Sequence, residues 1–171
     1  MRGLLKSVAA LLGLVAAPLA ATTPEAKPSR EQAEVMLAAD AFFAALRSED
    51  RTALAAVMLS EGVIFIHSRM NPDLPRVDAV PVADHLARWG TRSGDFDELM
   101  SYDHVLVDGD MAQVWGPYRF LANGATSHCG VNSLSLVRTE SGWKVANTSF
   151  TMEPPTRCAA LGAPEAPEFA L

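Results

Sequence analysis

Hydrophobic spacing divides this chain into a helical half and a strand half. After a polar, proline-bearing stretch, "TTPEAKPSR", Val35, Ala39, Phe42 and Leu46 recur at steps of four, three and four residues. That spacing places them on one face of a helix. Asp50 is a candidate N-cap for a second, short helix through "RTALAAVM". "GVIFIHS" is rich in β-branched and aromatic residues and predicts a first strand. The prolines of "RMNPDLPRVDA" predict a loop. Helical spacing returns in "VPVADHLARW", with Val82, Leu86 and Trp89 on one stripe, and "GTRSG" ends it.

From there the period changes. "FDELMSYDHVLV", "MAQVWGPYRFLA", "TSHCGVNSLSLVR" and "WKVANTSFTM" are separated by "DGD", "NG" and "TESG". Asp-Gly and Asn-Gly between β-rich runs are strong hairpin signals, so an antiparallel meander is expected. The runs are longer than an average strand, and long strands curl. The predicted fold class is therefore α+β: three N-terminal helices packed on a long curved antiparallel sheet, forming a cone with an interior pocket.

The N-terminus changes the picture of where this happens. "MRGLLK" carries Arg2 and Lys6 ahead of a short apolar run, "LLGLVAAPLA", that ends in small residues. That is the layout of an export signal, with cleavage expected near Ala20 or Ala21. The run is too short and too Ala-rich for a membrane span. The chain then divides into a signal peptide (1–21), a flexible lead-in (22–30), a folded domain (31–153) and a Pro/Ala/Glu-rich tail (154–171). The tail is expected to be loose apart from Cys158. The processed protein is expected in the periplasm or outside the cell, with no membrane association.

Charge excludes one class of partner. The formal charge is −6, and the 14 basic residues are scattered singly. Loss of Arg2 and Lys6 with the signal takes the charge to −8. A nucleic-acid partner needs clustered Lys and Arg, and none is expected here. Otherwise 171 residues, 49% apolar and 20% charged, describe one ordinary globular domain. Export also bears on the two cysteines, Cys129 and Cys158. In an oxidising compartment they are a candidate disulfide, and in a reducing one a pair of buried thiols.

The most distinctive stretch is "VWGPYRFLANGATSHCGVNSLSLVRTESGWKVANTSFT". It resembles an exported bacterial branch of the NTF2-like superfamily, in which a W-x-P-Y-x-F strand precedes an S-H-C-G strand and a G-W-K strand. The order of elements over residues 31–152 also resembles that superfamily's SnoaL-like and DUF4440-like cone folds. The resemblance implies a pocket, and homodimers formed through the sheet are common in the superfamily. It implies no single chemistry, because the superfamily holds isomerases, dehydratases, epoxide hydrolases, cyclases, ligand binders and trafficking adaptors.

Pleating sorts the candidate residues. Neighbours in a strand point to opposite faces, so His128 and Cys129 cannot form a Cys–His dyad in an undistorted strand. Leu134 and Leu136 share parity with His128 and Asn132, which predicts His128 inward. A two-residue turn at Asn123-Gly124 would set Tyr118 opposite Cys129. A three-residue loop with Gly124 in the left-handed region would set Tyr118 opposite His128. Because Tyr118 and Phe120 read as inward residues, the bulged turn is favoured. Tyr118, His128 and Asn132 then form a polar cluster among Val114, Phe120, Leu134 and Leu136. Such a site suits a small, mainly apolar ligand. The alternative is a His128–Tyr118 contact that only stiffens the sheet.

On the same parity Cys129 falls on the outer face. If "TESG" joins the last two strands, Arg138 pairs with Trp143 and Cys129 lies opposite Met152. Pro154 and Pro155 can then turn Cys158 back towards it. Strand 96–107 has apolar residues on both parities, so the pocket candidates Asp103 and His104 cannot be assigned a face. His67 is either a mouth residue or a surface one. The four histidines show no metal-ligand spacing, so no metal is expected, and nothing calls for another cofactor. Trp115 has outward parity, which predicts an interface, and the resemblance implies that it is a homodimer's. Three functions stay open. The favoured one is a ligand binder. The others are an isomerase, dehydratase or hydrolase using His128 with Tyr118 and Asp103 or His104, and a homodimeric interaction module.

Overall fold

A computed structural model describes residues 27–167. The expected signal peptide lies outside the described residues. The first helix, α1, spans Arg30–Arg47. Ser29 starts it with a reciprocal cap: its hydroxyl accepts from the Gln32 N–H at 3.1 Å, and Gln32 Oε1 accepts from the Ser29 N–H at 2.8 Å. Val35, Ala39, Phe42 and Leu46 are all buried along its inner face.

Two α-helices form among the described residues, not three. The segment after Asp50 closes only a 3₁₀ turn, Ala53–Ala56. Asp50 does not cap a helix. Its carboxylate is taken by the N–H and hydroxyl of Thr52, at 2.9 and 2.6 Å. That local turn competes with helix formation. Strands β1 (Val63–Ser68) and β2 (Arg76–Pro81) follow, and then α2 (Val82–Trp89). β2 occupies part of the segment expected as a loop. It pairs antiparallel with β1, at the sheet edge where its proline does no harm.

The rest is sheet: β3 (Phe96–Met100), β4 (His104–Asp108), β5 (Met111–Ala122), β6 (Ala125–Thr139) and β7 (Gly142–Met152). The strand order is β2-β1-β7-β6-β5-β3, with β4 also on β5. The β5–β6 and β6–β7 hairpins are antiparallel as expected, but β1 joins β7 in parallel, so the sheet is mixed. Helices α1 and α2 cover its concave face over one apolar core.

Three irregularities decide which side chains reach that face. The run expected as one strand over 96–107 breaks at residues 101–103, opposite Gly116 and Pro117. Pro117 has no N–H to continue the ladder. A Cβ on Gly116 would lie 1.8 Å from the Ser101 carbonyl oxygen, so the crossing needs glycine. Three residues face two there, and the parity flips. Phe96, Glu98 and Met100 point inward before the break, and Val105 and Val107 after it.

The second irregularity lies beside the Asn123-Gly124 turn. The turn has two residues, both at positive φ, with Ala122 opposite Ala125. The bulge expected at Gly124 falls at Ser127 instead, between the Leu121–Thr126 and Phe120–His128 pairs. Tyr118 therefore faces Gly130, not His128. The inward parity of His128 is unchanged, because one extra residue is inserted in either case. The third irregularity, between Ser135 and Leu136, keeps Arg138 opposite Trp143 but moves Glu153, not Met152, opposite Cys129.

Cys129 and Cys158 are disulfide-bonded on the outer face. Around the bond, 3₁₀ turns at Pro155–Arg157 and Ala159–Leu161 run along the sheet, and Ala163 and Leu161 pack on the sulfurs. Arg119 Nε donates to the Pro164 carbonyl at 2.5 Å. The segment after Glu153 thus carries more structure than its composition predicts.

Candidate functional site

Between the concave face and the helices lies a cavity of about 330 Å³. Phe42 and Leu46 reach it from α1, and His85 and Trp89 from α2. Ile64, Ile66, Phe150 and Met152 close the β1–β7 side. Glu98, Tyr118, Phe120, His128 and Asn132 form the β3–β5–β6 side.

One wall is a chain of rings. His85, Trp89, Phe96, Phe120, His128, Tyr118 and Phe150 follow one another with centroid separations of 5.0 to 6.0 Å. The His128 ring stacks on Phe120 at 5.0 Å and meets the edge of Tyr118 at 5.7 Å. Its Nδ1 contacts Ser127 Oγ at 3.2 Å, a contact the Ser127 bulge makes possible. Burial, helped by the positive charge of Arg92, lowers the His128 pKa to about 4, so the imidazole is neutral at ordinary pH.

Tyr118 is not available to a ligand as a donor. Its hydroxyl donates to the Thr151 carbonyl at 2.8 Å. Burial, with Glu98 and Glu153 nearby, raises its pKa above the ordinary tyrosine range. Gly130 allows that bond: a Cβ there would lie 2.0 Å from the Thr151 oxygen. The expected His128–Tyr118 acid–base pair is thus an edge contact between rings. Val114, Leu134 and Leu136, expected around the polar cluster, are fully buried in the solid core.

The structure places the remaining candidates elsewhere. Asp103 lies exposed in the β3–β4 break, and His104 is exposed on the outer face opposite Trp115. Asp103 sits in the break itself and the parity flip turns His104 outward, and neither lines the cavity. His67 is also on the outer face, 3.1 Å from Ser149 Oγ.

The cavity's main polar feature is a residue outside the predicted set. Glu98 is buried, and Asn132 Nδ2 donates to its Oε1 at 2.8 Å. Burial raises the Glu98 pKa to about 8, against the opposing effect of the Asn132 bond. The carboxyl is therefore mostly protonated at neutral pH. Asn132 Oδ1 is buried with no hydrogen-bond partner among the described residues. The signal for Glu98 was present in "FDELM": an acid in register with Phe96 and Met100, on the apolar parity. Arg92, just past α2, also lines the cavity and gave no pattern to find it by. Chemically, the cavity offers an aromatic wall and a neutral polar end that can donate and accept hydrogen bonds.

No family model matches the sequence, and no curated protein matches it. Solved structures do. An NTF2-like protein from Cytophaga hutchinsonii is similar with a TM-score of 0.60 at 12% identity, over 72% of this chain and 99% of that one. A provisionally assigned dehydratase of the NTF2-like family from Streptomyces avermitilis matches at 0.55 and 21% identity, over 71% and 95%. A provisionally assigned aromatic ring hydroxylase from Novosphingobium aromaticivorans matches at 0.55 and 15%, over 74% and 92%. The fold is NTF2-like: a curved sheet around a cavity. At these identities the likeness defines the fold and leaves the chemistry to the site.

Proposed function

We propose that this protein binds a small, mainly apolar molecule in the cavity. The observation that carries this is a ring-lined space of about 330 Å³ with the buried Glu98–Asn132 pair in its wall. Volume and lining are those of a small-molecule site. An apolar body stacks on Phe120, His128 and Trp89, and a neutral hydroxyl, carbonyl or amide meets the polar end. The reading is tested by thermal unfolding against a panel of small aromatic and alicyclic compounds. A ligand at a hundred times its Kd adds about 2.7 kcal/mol and raises the midpoint by roughly 5 °C or more. A cavity-filling Thr148→Phe variant is expected to lose the shift, whereas an equal shift in the variant would place binding elsewhere.

One observation favours a second reading, acid–base catalysis. Glu98, its pKa raised to about 8, lines the same cavity as the neutral imidazole of His128, which suits proton transfer to and from a bound molecule. The assigned activities of the Streptomyces and Novosphingobium proteins are compatible with chemistry in such a cavity. Glu98 and His128, not Tyr118, would carry it. Turnover abolished by Glu98→Gln with ligand affinity retained would establish it.

The setting of the function is an exported homodimer. The leader pattern and the disulfide support export, and among the described residues no helix is long and apolar enough to cross a membrane. Trp115, Leu106 and Met111 are exposed together on the outer face and support pairing with a second copy there.

A further inference from the structure

Arg92 is held against three aromatic rings but has no anionic partner among the described residues. Its guanidinium carbon lies 4.0 Å from the centre of the Phe96 ring, 5.2 Å from Trp89 and 5.9 Å from Phe120. All three rings belong to the aromatic wall. The side chain lines the cavity, yet the residue is exposed, which puts the guanidinium at the mouth. Among the described residues no carboxylate comes within salt-bridge distance of it. Nor does its side chain donate to any of them. Arg51 stands beside it, 5.3 Å from the same Phe96 ring, with its own donors spent on the Ser48 and Gly94 carbonyls. Arg88 adds a third positive charge at the end of α2.

Two ordinary explanations account for part of this. Cations suit a helix C-terminus, and guanidinium stacks on rings. The first covers Arg88. The second holds Arg92 in place but leaves five N–H donors and a full charge facing the opening. The protein is acidic overall, at −6, so an unneutralised cationic mouth runs against its average. The cavity behind it holds no competing anion while Glu98 is protonated.

We propose that the ligand is an amphipathic anion: one carboxylate-like or sulfonate-like group held at the mouth by Arg92, on an apolar body that runs inward along the ring wall. This rests on the ligand-binding reading above and specifies its ligand class. Arg92 then selects acids over neutral analogues of the same shape, and Arg51 and Arg88 strengthen the attraction at low salt.

Two dyes with one aromatic body test it: 1-anilinonaphthalene-8-sulfonate and its uncharged counterpart N-phenyl-1-naphthylamine, titrated by fluorescence into the full processed chain. The wild type is expected to bind the sulfonate about tenfold tighter at low salt, with the difference shrinking in 0.5 M NaCl. Arg92→Gln should erase the preference and leave the neutral dye within about twofold, and Arg92→Lys should keep part of it. Circular dichroism checks that each variant is folded. Equal affinity of the wild type for both dyes, or a sulfonate preference that survives Arg92→Gln, overturns the anion assignment while leaving the cavity reading standing. Binding of neither dye, or dye binding that Thr148→Phe leaves unchanged, overturns the cavity reading itself.

Discussion

Glu98 concentrates the chemistry of the cavity and has a consequence for stability. A carboxyl raised from 4.5 to about 8 on folding binds a proton more tightly in the folded state. Stability contributed by that protonation is present below about pH 4.5 and is lost as pH rises to about 8. His128 acts in the opposite direction: lowered to about 4, it makes stability rise between about pH 4 and 6.5. The two slopes oppose each other in the acid range, which leaves Glu98 alone between about pH 6.5 and 8. Denaturant unfolding should show stability falling there by about 1 kcal/mol per pH unit. Glu98→Gln should flatten that slope and expose the acid-side rise due to His128 and to His85, whose pKa burial also lowers. An unchanged slope in the variant would mean that Glu98 is ionised in the folded protein. Gly130 makes a steric prediction at the same scale. Gly130→Ala drives a Cβ into the Thr151 carbonyl and removes the acceptor from Tyr118. Equilibrium unfolding should register a loss of more than about 2 kcal/mol.

At the scale of elements, the helices that pack and the long hairpins were legible, because spacing and Asn-Gly or Asp-Gly turns act locally. So was the separation of His128 from Cys129, which needs only pleating. What escaped the sequence were insertions of one residue. The residue added between Met100 and His104 depends on Gly116 and Pro117 of another strand, and it alone turns His104 outward. The bulge at Ser127 likewise depends on how the hairpin twists, not on the turn residues. Glu98 escaped for a different reason: an acid on an apolar parity reads as noise until Asn132 is seen across the cone. The Ser29-to-Gln32 capping box could have been read directly from "SREQ". The disulfide closes the chain over a separation of 29 residues on the face away from the cavity. Replacing both cysteines by serine should cost about 3 to 4 kcal/mol in the chain-entropy model while leaving cavity affinity within about twofold. Unfolding and dye titration on the same variant measure both, and a collapse of affinity would show that the tail supports the cavity.

The whole molecule presents two unlike faces. The concave face is closed by helices around a ring-lined space, and the outer face keeps Trp115, Leu106 and Met111 in solvent. If the outer face pairs two copies, Trp115→Glu should halve the mass measured by light scattering and leave the cavity occupied. The central claim concerns the inner face, and native mass spectrometry of the processed chain, purified without added ligand, tests it most directly. The predicted spectrum shows a bound mass of a few hundred daltons or less per chain, released on denaturation and missing from Thr148→Phe. A wild-type protein that carries no such mass, and accepts none from the dyes or the compound panel, would contradict it.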